Sequence, residues 1–211
     1  MIKICLAILM AVCFSQYTFA GSTLRAGAAK RVITPQGSAY LAGLANNRRS
    51  TGVHDDLYAR CLILDSGGTR VGFVSVDVIG LTSNSIRELQ ERANAVGLDT
   101  EGIIFTCTHQ HSGPDTIGLW GPDEMTSGVD PNYMDFLYAQ IIDALQEASA
   151  NLQSAEIRLG KAALTEADRV SRNAREPNLI DRELGVIKVD NLEGKAIATV
   201  VNFTAHPETM W

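Results

Sequence analysis

Gly-Ile-Ile-Phe-Thr-Cys-Thr-His-Gln-His-Ser-Gly-Pro, residues 102–114, is the stretch that says most about the fold and chemistry of this chain. An apolar run typical of a β-strand leads directly into His109 and His111, and Gly113-Pro114 ends it. Side chains two residues apart on a strand lie on one face of it. We therefore expect both imidazoles to reach one point at a strand end, where metal and substrate sites are common. The alternative is a pair of exposed loop histidines.

The pattern of apolar residues on either side of this stretch predicts an α/β fold. Strand-like runs cover residues 24–33, 57–65, 71–79, 103–109, 155–164, 184–190 and 196–204. Helical spacing covers residues 83–95 and 133–150. Short glycine-containing turns join two of the strand pairs as hairpins. We expect a mixed β-sheet layered with helices, in which β-hairpins are interleaved with the helices.

The first twenty residues have the pattern of a secretory signal peptide. Lys3 is the only charged residue before Ala20, an apolar core follows it, and Thr18-Phe19-Ala20 is a small-x-small cleavage site. The run is too short and too sharply ended to favour a membrane span. We expect residues 21–211 to form one domain, or part of a larger one, that leaves the cytoplasm and is secreted or periplasmic.

Composition and charge limit the classes of protein to which this chain can belong. Apolar residues make up 45% of the chain and charged residues 20%, as is normal for a soluble globular protein. The formal net charge of −6 argues against nucleic acid as a partner, because phosphate binding needs a basic surface. Beyond the leader only Cys61 and Cys107 remain, too few for a disulfide scaffold. They either form one bridge or pack as small apolar side chains.

A second strand-like run, residues 196–204, also leads to a histidine, His206, and Pro207 stops it. Two histidine sites at strand ends predict a shared metal site. Neutral imidazole suits Zn²⁺, and a hydrolytic zinc site typically has three protein ligands and a water. Isolated histidines that are structural or solvated are the alternative.

Several segments resemble, in order along the chain, the neutral/alkaline non-lysosomal ceramidases. Residues 108–114 are similar to that family's Thr-His-Thr-His-Ser-Gly-Pro, and residues 202–207 to its Asn-(Tyr/Phe)-x-x-His-Pro. Residues 51–60 and 73–77 resemble its Thr-Gly-Ile-His…Ala-Arg and Phe-Val-Ser-x-Asp segments. The resemblance runs from about residue 24 to residue 211.

The resemblance implies a secreted zinc amidase that cleaves the N-acyl bond of ceramide, or of a related lipid amide, to a fatty acid and a sphingoid base. It implies that His109 and His206 bind Zn²⁺. It implies that His111 acts beside the metal on water or substrate, and that Arg172 stabilises the developing oxyanion. A lipid substrate also implies transient contact with a membrane surface.

The chain departs from the family pattern at Gln110, where the family has Thr, and at Asp115, where it usually has Gly. Asp115 is expected to place a carboxylate close to the site, and Asp77 to support a histidine or to cap a loop. A Glu and a Tyr that complete the family's zinc site lie downstream of the His-Pro segment. We therefore expect this chain to be the N-terminal part of a longer enzyme.

The sequence leaves two other hypotheses for the class of protein. The first is a secreted, non-catalytic binding domain of the same fold, which is truncated or has vestigial histidines. The second is a TIM-barrel amidohydrolase, which also has His-x-His at a strand end. In such a barrel the pair normally lies on the first strand, whereas here several strands precede it and hairpins interrupt the βα alternation.

Overall fold

The computed structural model describes residues 24–99, 101–165, 171 and 173–206. In these residues seven strands and two helices follow one another along the chain. They are β1 (Arg25–Val32), β2 (Tyr58–Ser66), β3 (Thr69–Val76), α1 (Ser83–Ala95), β4 (Ile103–Cys107), α2 (Pro131–Ala150), β5 (Gln153–Ala163), β6 (Glu183–Asn191) and β7 (Ala196–Asn202).

The strands form one mixed sheet in the order β4-β3-β2-β1-β5-β6-β7. Only β3 and β4 pair in parallel, and every other neighbouring pair is antiparallel. The predicted hairpins are β2–β3 and β6–β7. The predicted mixed α/β fold is confirmed. The TIM-barrel hypothesis is wrong, because that fold needs an all-parallel barrel.

The helices begin where the sequence offers caps. Thr82 accepts a hydrogen bond from the amide of Ser85 at the start of α1. Asp130 caps α2 through the amide of Asn132, and Pro131 occupies the first turn. One boundary matters for the site. The strand predicted over residues 103–109 ends at Cys107, so both histidines lie in the loop beyond it.

The main core lies between one face of the sheet and the two helices. Its fully buried side chains include Val74 and Val76 from β3, Leu89 from α1, and Leu137, Ile141 and Leu145 from α2. Helix α2 packs directly on β1 at Gly27, where an added Cβ would lie 2.1 Å from the carbonyl oxygen of Ala148. Burying each large side chain contributes about 1.5–3 kcal/mol, so this layer fixes the strands that lead to the site.

A second, smaller apolar cluster shows that the sheet curls. Ala26 and Leu62, from β1 and β2, are buried together with Ala155 and Val189, from β5 and β6. Strands β1 and β5 pair at only two positions, so the sheet is narrow there. The β5–β7 strands turn across the sheet face opposite the helices, and the residues after β7 approach those after β4.

Both cysteines of the described chain are free, which favours the packing interpretation over a bridge. Burial raises the pKa of the Cys61 thiol to about 12 and that of Cys107 to about 11. Neither described helix combines the length and the apolar character that a membrane crossing requires. The predicted signal peptide lies outside the described residues.

Candidate metal centre

His109 is held by the loop that follows β3. The amide of Thr108 donates to the carbonyl of Val76, and the His109 backbone then turns into the left-handed region with φ 57°. Few residues other than glycine adopt such a φ, and those that do are often found at functional sites. The Nδ1 atom of His109 lies 2.7 Å from the carbonyl oxygen of Ile79. A carbonyl only accepts, so Nδ1 carries the proton and Nε2 presents its lone pair outward.

The Ile79 carbonyl is itself fixed by contacts on both sides. The Asp77 carboxylate accepts hydrogen bonds from the amide of Tyr58, at 3.0 Å, and from the guanidinium of Arg60, at 2.7 Å. On the other side, the hydroxyl of the buried Thr116 donates to the Gly80 carbonyl at 2.6 Å. Of the two roles expected for Asp77, these contacts support the fixing of a loop. The group that orients His109 is a backbone carbonyl.

His111 lies in a tight turn under a segment from early in the chain. Its neighbour Gln110 turns its side-chain oxygen back to accept the amide of Ser112. Gly43 lies directly against the His111 ring, and Arg48 donates to the His111 carbonyl at 3.3 Å. His111 is half-buried, whereas His109 and His206 are exposed.

His206 lies in the segment that follows the end of β7. Its Nε2 lies 3.1 Å from Nε2 of His109, although 97 positions separate the two residues in sequence. The His206 ring centroid is 4.9 Å from that of His109 and 4.6 Å from that of His111. The centroids of His109 and His111 are 4.9 Å apart. All three imidazoles therefore meet edge to face at one point.

The donor set fits a divalent metal ion such as zinc. One ligand nitrogen from each ring lies within 4.8 Å of the others. Two nitrogens bound to one tetrahedral zinc at about 2.0–2.1 Å are about 3.3–3.4 Å apart. The 3.1 Å between the Nε2 atoms of His109 and His206 is close to this spacing. Hydrogen bonding of the remote nitrogen to a carbonyl, as in His109, is common among metal-binding histidines.

The cluster holds three of the residues predicted for the site. His109, His111 and His206 come together, but His109 and His111 do not share a strand face, because the strand ends before them. Arg172 lies outside the described residues. Its neighbours Ser171 and Asn173 line an open cavity of about 430 Å³ together with Thr204, two residues before His206.

Asp115 takes a different role from the one expected. Its side chain is 1% exposed and turns into its own loop. There it accepts hydrogen bonds from the amides of Ile117, Gly118, Trp120 and Gly128. It therefore organises the loop and is not one of the clustered ligands.

His54 is not part of this cluster. Its side chain is 91% exposed and pairs with Asp55. Sequence reasoning missed two features of the site, the Ile79 carbonyl and Gly43. A strand end at Ile79 was visible, but no sequence pattern indicates which carbonyl meets a distant imidazole. For Gly43 the only signal was its place in a loop rich in glycine and asparagine.

The fold and the cluster together define a mixed α/β domain in which three imidazoles lie close enough together to bind one metal ion. The chain belongs to the neutral/alkaline non-lysosomal ceramidase family, since the family model for the N-terminal part of these proteins matches residues 25–211. The resemblance seen in the sequence is thereby confirmed.

Two solved structures share the fold. Neutral ceramidase from Pseudomonas aeruginosa superposes with a TM-score of 0.77 at 21% identity, over 90% of this chain and 33% of that one. A ceramidase complexed with C2 gives a TM-score of 0.76 at 20% identity, over 89% of this chain and 32% of that one. At these identities the likeness concerns the fold. The chain spans about a third of the length of either structure.

Proposed function

We propose that this chain supplies the N-terminal part of the catalytic domain of a zinc-dependent amide hydrolase. The substrate is ceramide or a related lipid amide, and the products are a fatty acid and a sphingoid base. One observation carries the proposal: in a member of the ceramidase family, imidazoles from two distant segments meet with their Nε2 atoms 3.1 Å apart.

His109 and His206 are the residues that hold the zinc in this proposal. The carbonyl of Ile79 keeps the proton of His109 on Nδ1, so that Nε2 is available as a ligand. When bound, zinc polarises a carbonyl and lowers the pKa of a water.

His111 handles protons in the hydrolysis. The oxygen of water adds to the amide carbonyl carbon, the carbon–nitrogen bond breaks, and the nitrogen leaves as an amine after gaining a proton. The His111 ring lies 4.6–4.9 Å from its neighbours between centroids, and in this proposal it takes the proton from water and returns it to the amine. Arg172 stabilises the oxyanion that develops on the carbonyl oxygen.

Substrate class and location are part of the same proposal. One superposed structure is a neutral ceramidase and the other is a ceramidase complexed with C2, which supports a lipid amide over a water-soluble one. Such a substrate is reached by transient contact with a membrane surface. The pattern of residues 1–20 supports a secreted or periplasmic protein.

The test compares His109→Ala and His206→Ala with His54→Ala in the complete protein. We expect the first two variants to lose bound zinc, measured by elemental analysis, and to lose hydrolysis of a fluorescent ceramide by about 10³-fold or more. His54→Ala is the matched control, because that ring is 91% exposed and outside the cluster. Normal zinc content and activity in both site variants would contradict the proposal. A wild-type protein that binds zinc without hydrolysing the amide would instead favour the non-catalytic domain.

A further inference from the structure

We propose that Gly43 is a positioning residue for His111. Its missing side chain lets the backbone of a second loop lie against the imidazole and hold it in the cluster. The loop, residues 40–49, is called the covering loop here. The role of His111 in the reaction rests on the proposed function, but the contact between Gly43 and His111 does not.

The covering loop is fastened to the histidine segment along its length. The amide of Ala42 donates to the carbonyl of Gly113 at 3.0 Å, and the amide of Asp115 donates to the carbonyl of Tyr40 at 2.8 Å. Leu41 and Pro114 form a β-bridge between the two segments. These bonds place residue 43 over residue 111 with little freedom to withdraw.

The far end of the covering loop is held as well. The indole of Trp120 donates to the carbonyl of Leu44 at 3.1 Å, and the amide of Leu41 donates to the carbonyl of Arg48 at 2.8 Å. Arg48 also reaches back to the carbonyl of His111. The loop therefore closes on itself and on the site.

A side chain at position 43 would collide with His111 near the root of its side chain. An added Cβ would lie 2.3 Å from Cγ, 2.4 Å from Nδ1 and 2.7 Å from Cβ of His111. Rotation about χ1 moves Cγ and Nδ1 but leaves Cβ in place, so the backbone would have to shift. Gly43 also has φ 94°, a conformation that favours glycine.

The imidazole of His111 has little room to move without changing the site, because it contacts the rings of both His109 and His206. A displacement of about 1 Å at a reacting group can cost about 10²-fold in rate. Gly43 thus acts on the reaction only through His111.

The test uses Gly43→Ala with Gly37→Ala as the control. Gly37 is exposed and has no atom within 4 Å of an added Cβ. We expect Gly43→Ala to lower kcat by about tenfold or more, with KM and zinc content within about twofold of wild type. In NMR spectra of protein labelled at histidine, the ring signals of His111 should shift while those of His54 stay in place. Unchanged His111 signals and an unchanged kcat would overturn the proposal.

A double variant separates collision with His111 from backbone strain. Gly43→Ala should lower the melting temperature by roughly 5 °C in the wild-type background. In a His111→Ala background two of the three colliding atoms are gone, while the strained φ remains, so the loss should fall by about half or more. An equal loss in both backgrounds would mean that strain alone matters, and would overturn the proposal. The NMR and melting measurements do not depend on activity, so they hold even if the protein proves not to hydrolyse amides.

Discussion

His109, His111 and His206 each take their position from a different kind of contact. A backbone carbonyl orients His109 through its Nδ1 proton. A glycine from the covering loop lies against His111. His206 is delivered by the end of strand β7. Because His111 is not one of the two proposed metal ligands, its loss should have a different consequence from the loss of His109 or His206.

His111→Ala should lower turnover far more than it lowers zinc content. The proposed ligands are His109 and His206, so the metal should stay within about twofold of wild type while kcat falls by about 10²–10⁴-fold, the usual contribution of a general acid or base. Zinc content by elemental analysis and kcat on a fluorescent ceramide are measured on the same preparation, with His54→Ala as control. Loss of zinc in parallel with activity would make His111 a metal ligand.

Asp115 shows at the residue scale how a carboxylate near a site can act through loop structure alone. A buried carboxylate is costly unless it is hydrogen-bonded, and here four backbone amides satisfy it. Trp120 is one of the four residues it holds, and the indole of Trp120 in turn fastens the covering loop. Asp115 therefore contributes to the site through the loops and not through its charge.

The two hairpins share a feature at the scale of elements. Asp65 near the end of β2 and Asp190 near the end of β6 are both buried and both paired with a cation on their own sheet. A hydrogen bond from Arg70 is the main cause that lowers the pKa of Asp65. Burial alone would raise the pKa of Asp190, but hydrogen bonds and charges from Arg158 and Lys188 outweigh it and the pKa is lowered.

Because of these two carboxylates, the free energy of unfolding should decrease as the pH falls into the acid range. A carboxyl whose native pKa lies below its ordinary value of 3.8 stabilises the fold above that pH, and the contribution is lost as pH falls through the lowered pKa. The variants Asp65→Asn and Asp190→Asn should therefore be less stable than wild type at neutral pH. Their deficit should shrink as the pH falls below about 4. Urea unfolding between about pH 3 and 7 measures this, with Asp143→Asn, exposed on α2, as control. A deficit that stays constant with pH would contradict the assignment.

Elements were largely predictable from the sequence, and the site only in part. Local periodicity placed α1 at its observed bounds and each strand within a few residues, because one face of each element is buried. The predicted end of β4 was two residues too late. Thr108 and His109 continue the alternation of polar and apolar residues along the strand, and the sequence does not show that the His109 backbone has a positive φ. The contacts of Gly43 with His111, and of Ile79 with His109, join segments far apart in sequence, and no local pattern encodes them.

At the scale of the whole molecule, the candidate metal centre joins the two edges of the sheet. His109 follows β4 and His206 follows β7, and these strands stand at opposite ends of the strand order. The two rings meet because the sheet curls beyond the short β1–β5 pairing and packs on itself through Ala26, Leu62 and Val189. A metal ion shared by His109 and His206 would therefore tie the two halves of the sheet together.

Zinc should consequently stabilise the fold, but only when His109 beyond β4 and His206 beyond β7 are both present to bind it. A ligand that binds the native state at 100 times its Kd adds about 2.7 kcal/mol, which is roughly 5–10 °C in melting temperature for a chain of this size. Protein stripped with a chelator should gain this shift on adding zinc, and so should His54→Ala. His109→Ala and His206→Ala should each lose it, because either change leaves the ion attached to one edge alone. A full zinc shift in either variant would show that the metal does not bridge the sheet edges, even if it is bound elsewhere. This measurement therefore tests the closure of the sheet independently of catalysis.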